Sequence, residues 1–212
     1  MLTESEIGDK EFLVLNYLDV FRSIKDVKPV QKSTGLETEE VVACLSKLME
    51  KGLVIKETKE TVERWRITPS GEKVVGSQRQ LLLERTGQKE LLIRKFEEFE
   101  NIFNAKFKEL VTAWQVKIVD GKPVINDHSD PAYDSAILKQ ILELHKNVLG
   151  TLKEIASLLP MLKNYIERLE SAARKIEENE LDYLIRNEDS YHNVWFELHE
   201  NILRFWGRQR VE

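Results

Sequence analysis

The sequence has little cysteine and no long apolar run. Cys44 is its only cysteine among 212 residues, so an intramolecular disulfide and a CxxC-type zinc site are both excluded. It lies among apolar helical positions, which favours a buried small hydrophobe over a reactive thiol. No apolar run approaches the roughly 18 residues of a membrane-spanning helix, and residues 1–10 lack the basic-then-apolar pattern of a signal peptide. We therefore expect a cytoplasmic protein without membrane contact.

The chain also lacks an excess of positive charge. Its 32 Lys and Arg residues stand against 37 Asp and Glu residues, for a net charge of −5. Residues 1–78 hold 12 basic and 14 acidic side chains, and the remainder holds 20 and 23. Neither part is basic, which works against non-specific attraction to a phosphate backbone. The length and the 42% apolar content suit one large or two modest globular domains.

Residues 12–75 carry a pattern of helices and short strands. Apolar spacing predicts helices at 12–24, 30–34 and 37–51, with Pro29 in the first turn of the second and Gly35 in the turn after it. Gly52 ends the third helix. Residues 53–55 and 64–67 read as two strands, with the polar stretch 56–63 as a wing between them. Thr68-Pro69 reads as the N-cap and first residue of another helix.

Two motifs in this region carry a family resemblance. They are Gly35-Leu36 through Leu45, Leu48 and Lys51-Gly52-Leu53-Val54, and then Trp65-Arg66-Ile67-Thr68-Pro69-Ser70-Gly71. Together they resemble the MarR-like and PadR-like winged-helix families over residues 12–75. The resemblance implies a winged helix-turn-helix fold in which helix 37–51 is the recognition helix. Winged helices bind DNA or serve as protein-docking modules.

The residues on the outer face of helix 37–51 are compatible with DNA binding and with protein docking. Two adjacent glutamates there are poor readers of DNA, because each carboxylate would approach phosphates. DNA binding would use the polar and basic groups Lys28, Lys32, Thr38, Ser46, Lys47, Lys59, Arg64 and Arg66. Protein docking would use Glu39, Glu40, Val42 and Ala43, since apolar residues beside acids suit an interface with a polar rim.

The rest of the chain predicts helices. They span 80–117, with a possible interruption at Gly87, then 134–158, 161–184 and 188–206, and an irregular stretch covers 118–133. Four helices with short joints predict an antiparallel bundle. The expected fold class is therefore mainly α with a small β-hairpin wing. A winged-helix domain at 1–78 would precede a helical domain at 79–212 that serves dimerisation and effector or partner binding.

All four histidines lie in the second part. His192 and His199 are seven residues apart, so they share a helix face. A ligand pocket would be built from Asp127, His128, Asp130, Tyr133, His145, Tyr191, His192, Trp195 and His199. Within this set, His192, His199 and His145 with a loop carboxylate, Asp127 or Asp130, suit a transition metal, but no stringent metal motif is present. The alternative is that the aromatics form core and the histidines are hydrogen-bonded structural groups.

Two segments of the second part carry a further resemblance, NDHSDPAYD from Asn126 and SYHNVWFELHE from Ser190. They resemble a family that pairs a winged helix with a helical domain and is associated with phosphoenolpyruvate-utilising phosphotransfer proteins. That resemblance implies a regulator of such a system or an accessory subunit docked to it.

Catalysis has little support in the sequence. It contains no Gly-rich phosphate loop and no GxSxG elbow, and no cofactor is predicted. The remaining catalytic alternative is a His/Asp pair in the ligand pocket, because general acid-base catalysis needs only proximity and a suitable pKa. We expect a regulator, with DNA or a protein as partner, a possible small-molecule effector and homodimerisation, rather than an enzyme.

Overall fold

The computed structural model describes residues 7–59 and 62–208, without the side chain of Lys59. The protein is mainly helical (72%) with a small antiparallel sheet. Two compact units emerge: one comprises the described residues of Met1–Lys89 and Leu203–Glu212, and the other is Glu90–Ile202. Within the described ranges, every helix is too short or too polar to cross a bilayer.

The first unit follows the predicted order of helices and strands. Its elements are α1 (Asp9–Phe21), β1 (Ser23–Ile24), α2 (Lys28–Thr34), α3 (Thr38–Glu50), β2 (Val54–Lys59), β3 (Val62–Ile67) and α4 (Pro69–Arg85). The strands form one antiparallel sheet in the order β1-β3-β2. Gly35 ends α2 in a left-handed conformation, and Thr68 caps α4 by accepting from the Gly71 amide at 3.1 Å, as the sequence predicts.

Two details of this unit differ from the predictions. Ile24 lies in β1, opposite Trp65 of β3, and not in the first helix. The polar stretch 56–63 is mostly strand, because β2 runs to Lys59 and β3 begins at Val62. Its charged side chains stabilise the extended strands as cross-strand pairs, with Lys56 Nζ 2.7 Å from a Glu63 carboxylate oxygen. Apolar residues alone therefore underestimate strand length here.

The core of the first unit explains the positions of α3 and α4. Helix α3 buries Val41, Cys44, Leu45 and Leu48, so the prediction of a buried Cys44 is confirmed. Gly71 lies where α4 passes the hairpin, and a Cβ at this position would stand 2.3 Å from the Leu53 carbonyl oxygen. Only glycine permits this close approach.

The second unit is built mainly from helices. Its elements are α5 (Lys89–Glu98), a π-helical segment (Phe99–Asn104), α6 (Ala105–Gln115), β4 (Val116–Val119), β5 (Lys122–Ile125), α7 (Pro131–Leu158), a 3-10 turn (Pro160–Leu162), α8 (Lys163–Glu177), α9 (Asp182–Ile185) and α10 (Tyr191–Trp206), of which the last extends into the first unit. The break before α5 falls at Gly87, which has φ +63°. Helix α7 contacts α6, the π-helical segment and α8.

The prediction of an irregular stretch over 118–133 is wrong for its first half. Strands β4 and β5 pair antiparallel with Val119 opposite Lys122, so Asp120 and Gly121 form a two-residue turn. Both have positive φ, +50° and +75°, as a type I′ turn requires. The Asp-Gly pair is a hairpin signal in its own right, whereas Gly121 and Pro123 had favoured irregular structure.

Candidate functional sites

The outer face of α3 is exposed, with acidic and apolar side chains. Thr38, Glu39, Ala43, Ser46 and Lys47 are all exposed. Val42 is 45% exposed and Met49 is 38% exposed. Met49 lies two turns from Val42 on the same face, which makes it a surface residue that the sequence predictions omitted. Its spacing of seven from Val42 is the signal that identifies it.

Glu40 differs from its neighbours on α3. Its Oε2 accepts from the Glu37 amide at 3.0 Å, which closes the first turn of the helix. Its other oxygen pairs with Lys10 of α1. The Lys10 hydrogen bond, with the Glu37 amide, lowers the pKa of Glu40. Glu40 therefore caps and anchors α3, while Glu39 is the glutamate on the open face.

The predicted DNA-contacting groups are less uniform. Lys28, Lys32 and Lys47 are exposed. Arg64 is half-buried, and Arg66 donates its Nε to Glu57 at 3.0 Å. The Lys59 side chain lies outside the described part of the structure. Of the predicted basic groups, three lysines are therefore exposed, two of them on α2.

His128 lies in a group of polar side chains before α7. Its Nδ1 is 3.0 Å from Asp134 Oδ2, and its amide donates to Asn126 Oδ1 at 3.2 Å. Asn126 in turn donates to Asp134 Oδ1 at 2.8 Å and to the Trp114 carbonyl at 3.0 Å. The Trp114 ring packs 4.5 Å from the imidazole, between centroids. The Asp134 carboxylate and the Asn126 amide, 3.3 Å from Nδ1, together orient the imidazole ring.

The other predicted residues of this loop have local roles. Asp127 accepts from Lys117 Nζ at 2.7 Å and from the Ser129 hydroxyl at 2.8 Å, and these hydrogen bonds hold the pKa of Asp127 well below its usual range. Asp130 caps α7 by accepting from the Ala132 and Tyr133 amides. Tyr133 donates its hydroxyl to the Ala113 carbonyl at 3.0 Å.

A second group surrounds Tyr191 at the start of α10. His145 Nδ1 lies 3.2 Å from the Tyr191 hydroxyl, and both side chains are buried. Burial lowers the pKa of His145 and raises that of Tyr191. The Phe107 ring packs 4.5 Å from the Trp195 ring and 6.2 Å from the His192 ring, between centroids.

His199 contacts the π-helical segment. Its Nε2 lies 2.6 Å from Glu100 Oε2 and 3.3 Å from Asn104 Nδ2. The Trp195 indole donates to Asn104 Oδ1 at 2.9 Å. Glu100 and Asn104 are absent from the sequence predictions because nothing in the sequence marks a π-helical turn.

The predicted pocket residues therefore fall into separate groups. The His128 group packs on Trp114 of α6, whereas Tyr191, His192 and Trp195 pack on Phe107 of the same helix. Seven residues of helix separate these two anchors by about 10 Å. Among residues 7–59 and 62–208, no three His, Cys, Asp or Glu side chains are grouped so as to hold a metal ion.

A groove of about 680 Å³ also lies in the second unit. Its lining comes from one face of α6, from β4 and from the start of α7: Ala105, Lys108, Glu109, Thr112, Ala113, Val116, Ile118 and Tyr133. Tyr133 is the one predicted pocket residue among them. Comparison of the chain with protein-family models, curated proteins and solved structures gives no match.

Proposed function

We propose that the first unit is a winged helix-turn-helix module that binds a protein partner through the outer face of α3, in a regulatory or accessory protein. The element order helix, strand, helix, helix, strand, strand supports the winged-helix assignment. So does the sheet order β1-β3-β2, with the β2–β3 hairpin as the wing. The mainly helical fold with a small antiparallel sheet is compatible with this proposal.

The composition of the exposed α3 face is the observation that carries the proposal. Val42 and Met49, two turns apart, form an apolar strip on the exposed part of α3, and the small Ala43 is exposed beside it. Glu39 and Glu50 are exposed at its two ends. An apolar centre with a charged rim is the composition of a protein interface. The same surface would place two carboxylates near phosphates if α3 entered a DNA groove.

The charge of the rim indicates the partner. Because Glu39 and Glu50 flank the apolar strip, with Lys47 as the one exposed base on α3, the complementary surface is apolar at its centre and basic at its edge. Such a partner gains from burial of Val42 and Met49 and from ion pairs at the periphery.

The proposed protein contact at the α3 face can be tested in the cells that produce the protein. A photo-crosslinking amino acid is placed at position 42 of the whole chain. We expect one dominant protein adduct from position 42, lost when Met49→Glu is added, because a charge in the apolar strip opposes burial. The matched control is position 102, where Ile102 of the second unit is 59% exposed. Nucleic-acid adducts, or the same protein adducts from both positions, contradict the proposal.

DNA binding is the second candidate, and the exposed lysines on α2 and α3 favour it. It would make the protein a transcriptional regulator, with Lys28, Lys32 and Lys47 contacting phosphates. Binding to genomic DNA fragments at about 50 mM salt is the most permissive test, because low ionic strength strengthens phosphate contacts. The second candidate predicts that Lys47→Glu weakens binding and reduces the salt dependence, whereas Lys73→Glu on the exposed side of α4 does not. Absence of DNA binding at this salt concentration excludes the second candidate.

A further inference from the structure

The β4–β5 hairpin has one face without charge. Paired residues share a face and successive residues alternate, so the register places Val116, Ile118, Pro123 and Ile125 on one side. We call these four residues the apolar hairpin face. Ile118 is 69% exposed and Ile125 is 83% exposed. Lys117, Val119, Lys122 and Val124 lie on the opposite side.

The apolar hairpin face continues into the groove on α6. Val116 and Ile118 belong to both, and Ala105, Thr112 and Ala113 extend the surface along the helix. Exposed isoleucines joined to an apolar groove form a contiguous patch, which in soluble proteins marks an interaction surface.

The position of Pro123 determines how this surface can be used. It lies directly opposite Ile118, one pair beyond the closing pair Val119 and Lys122. At that position the backbone nitrogen points away from the partner strand, and proline has no N–H to donate there. Strand addition along the outer edge of β5 is therefore disfavoured.

We propose that the apolar hairpin face and the groove form the contact between two copies of this chain. A two-fold contact places the same patch on both sides, so the patch must be complementary to itself. The apolar hairpin face meets this condition, because two such faces bring no like charges together. The two charged groove residues, Lys108 and Glu109, have opposite signs, and Glu109 already pairs with Lys106 of its own chain at 3.1 Å, so the groove carries no net charge that would oppose a second copy. A strongly basic or acidic partner would find no matching charge here.

The size of the patch sets the strength of the contact. A standard stable interface uses about 20 to 30 residues from each side. The apolar hairpin face and the groove together provide eight groove residues plus Pro123 and Ile125, which is well below that range. The dimer is therefore in reversible equilibrium with the monomer, and its fraction rises with protein concentration.

Sedimentation velocity of the full-length protein over a range of concentrations tests the proposal. We expect a concentration-dependent shift toward the dimer, which Ile118→Glu and Ile125→Glu abolish because they bury a carboxylate in an apolar contact. The matched controls are Val119→Glu and Val124→Glu on the opposite face of the same hairpin, which retain the dimer. A wild-type monomer at every concentration overturns the proposal, and so does equal loss of dimer in both pairs of variants.

Thiol cross-linking gives a second measurement that does not depend on charge. Cys44 is the only native cysteine and is buried, so an introduced surface cysteine is the one thiol accessible for cross-linking. Copies with Ile118→Cys should form a covalent dimer under mild oxidation, whereas those with Val119→Cys should not. The opposite ranking contradicts the proposed face. Retention of the dimer by Met49→Glu would show that self-association is separate from the α3 surface.

Discussion

The two hairpins of this protein expose different side chains to solvent. The β2–β3 hairpin has two six-residue strands, a third strand beside it and charged side chains paired across its surface, among them Lys56 with Glu63 and Arg66 with Glu57. The β4–β5 hairpin has two four-residue strands in a sheet of their own, and it exposes Ile118 and Ile125. The first hairpin pairs its charged side chains within one chain and exposes Ile55 and Val62 by 37% and 39%, whereas the second exposes Ile118 and Ile125 by 69% and 83%.

The anchoring of the two hairpins differs as well. The first is held by close packing, where the backbone of Leu53 meets α4 at Gly71. The second is held by polar bonds at its base, where the Asn126 backbone amide donates to the Gln115 carbonyl at 2.8 Å and the Asn126 side chain donates to the Trp114 carbonyl at 3.0 Å. We therefore expect the first to be sensitive to added volume and the second to loss of hydrogen bonds.

The largest effect is expected from Gly71→Ala. The new methyl group would stand 2.3 Å from Leu53 O and 2.8 Å from Ile67 Cγ1, so α4 or the hairpin must move. We expect a loss of about 3 kcal/mol in the free energy of unfolding, measured by urea denaturation. Gly76→Ala, also within α4, is the control because nothing lies within 4 Å of its Cβ. It should stabilise by about 0.5 to 1 kcal/mol, and similar losses from both would refute the close-packing account.

Asn126→Ala should cost somewhat less. Its buried side chain joins the Trp114 carbonyl, Asp134 and the His128 amide. Truncation removes these hydrogen bonds and leaves Asp134 with His128 alone. We expect a loss of about 2 kcal/mol, with faster hydrogen exchange at β4 and β5 than in the wild type. Unchanged exchange in the hairpin would show that Asn126 does not anchor it.

The smallest expected effect is the pH dependence of the stability of the second unit. Burial lowers the pKa of His145 below its ordinary value of 6.5, so the unfolded chain takes up a proton more readily than the folded one. The contribution of neutral His145 to stability is complete above about pH 6.5 and falls as the pH is lowered through and below that value. Hydrogen exchange of α7 and α10 should report this decline, and His145→Gln should flatten it. The same decline in the variant would assign it to other groups.

Much of the fold follows from the sequence, because apolar spacing and capping residues act locally. Gly35, Gly87 and Thr68-Pro69 mark where elements end or begin, and the structure confirms each of them. The Asp120-Gly121 turn could have been identified in the same way. Its strands were missed because their outward positions are apolar, which removes the alternation of polar and apolar residues that usually marks a half-buried strand.

The groups around the histidines were harder to predict. His128 meets Asp134, six residues later, because Asp130 starts α7 and turns the chain. His199 meets Glu100 and Asn104, about a hundred residues earlier in the chain. Sequence spacing along one helix cannot reveal a partner on another, so the predicted single pocket combined residues that the structure places in different groups.

The π-helical segment at Phe99–Asn104 sets the rotational phase of one long continuous helix from Lys89 to Gln115. A π turn takes up one more residue than an α turn, and each α-helical residue rotates the chain by about 100°. If the same residues were wound as a uniform α-helix, Leu92 and Phe96, both fully buried, would turn by about a quarter turn relative to Phe107 and Trp114. One surplus residue thus allows both ends of this helix to direct their large side chains into the same interior.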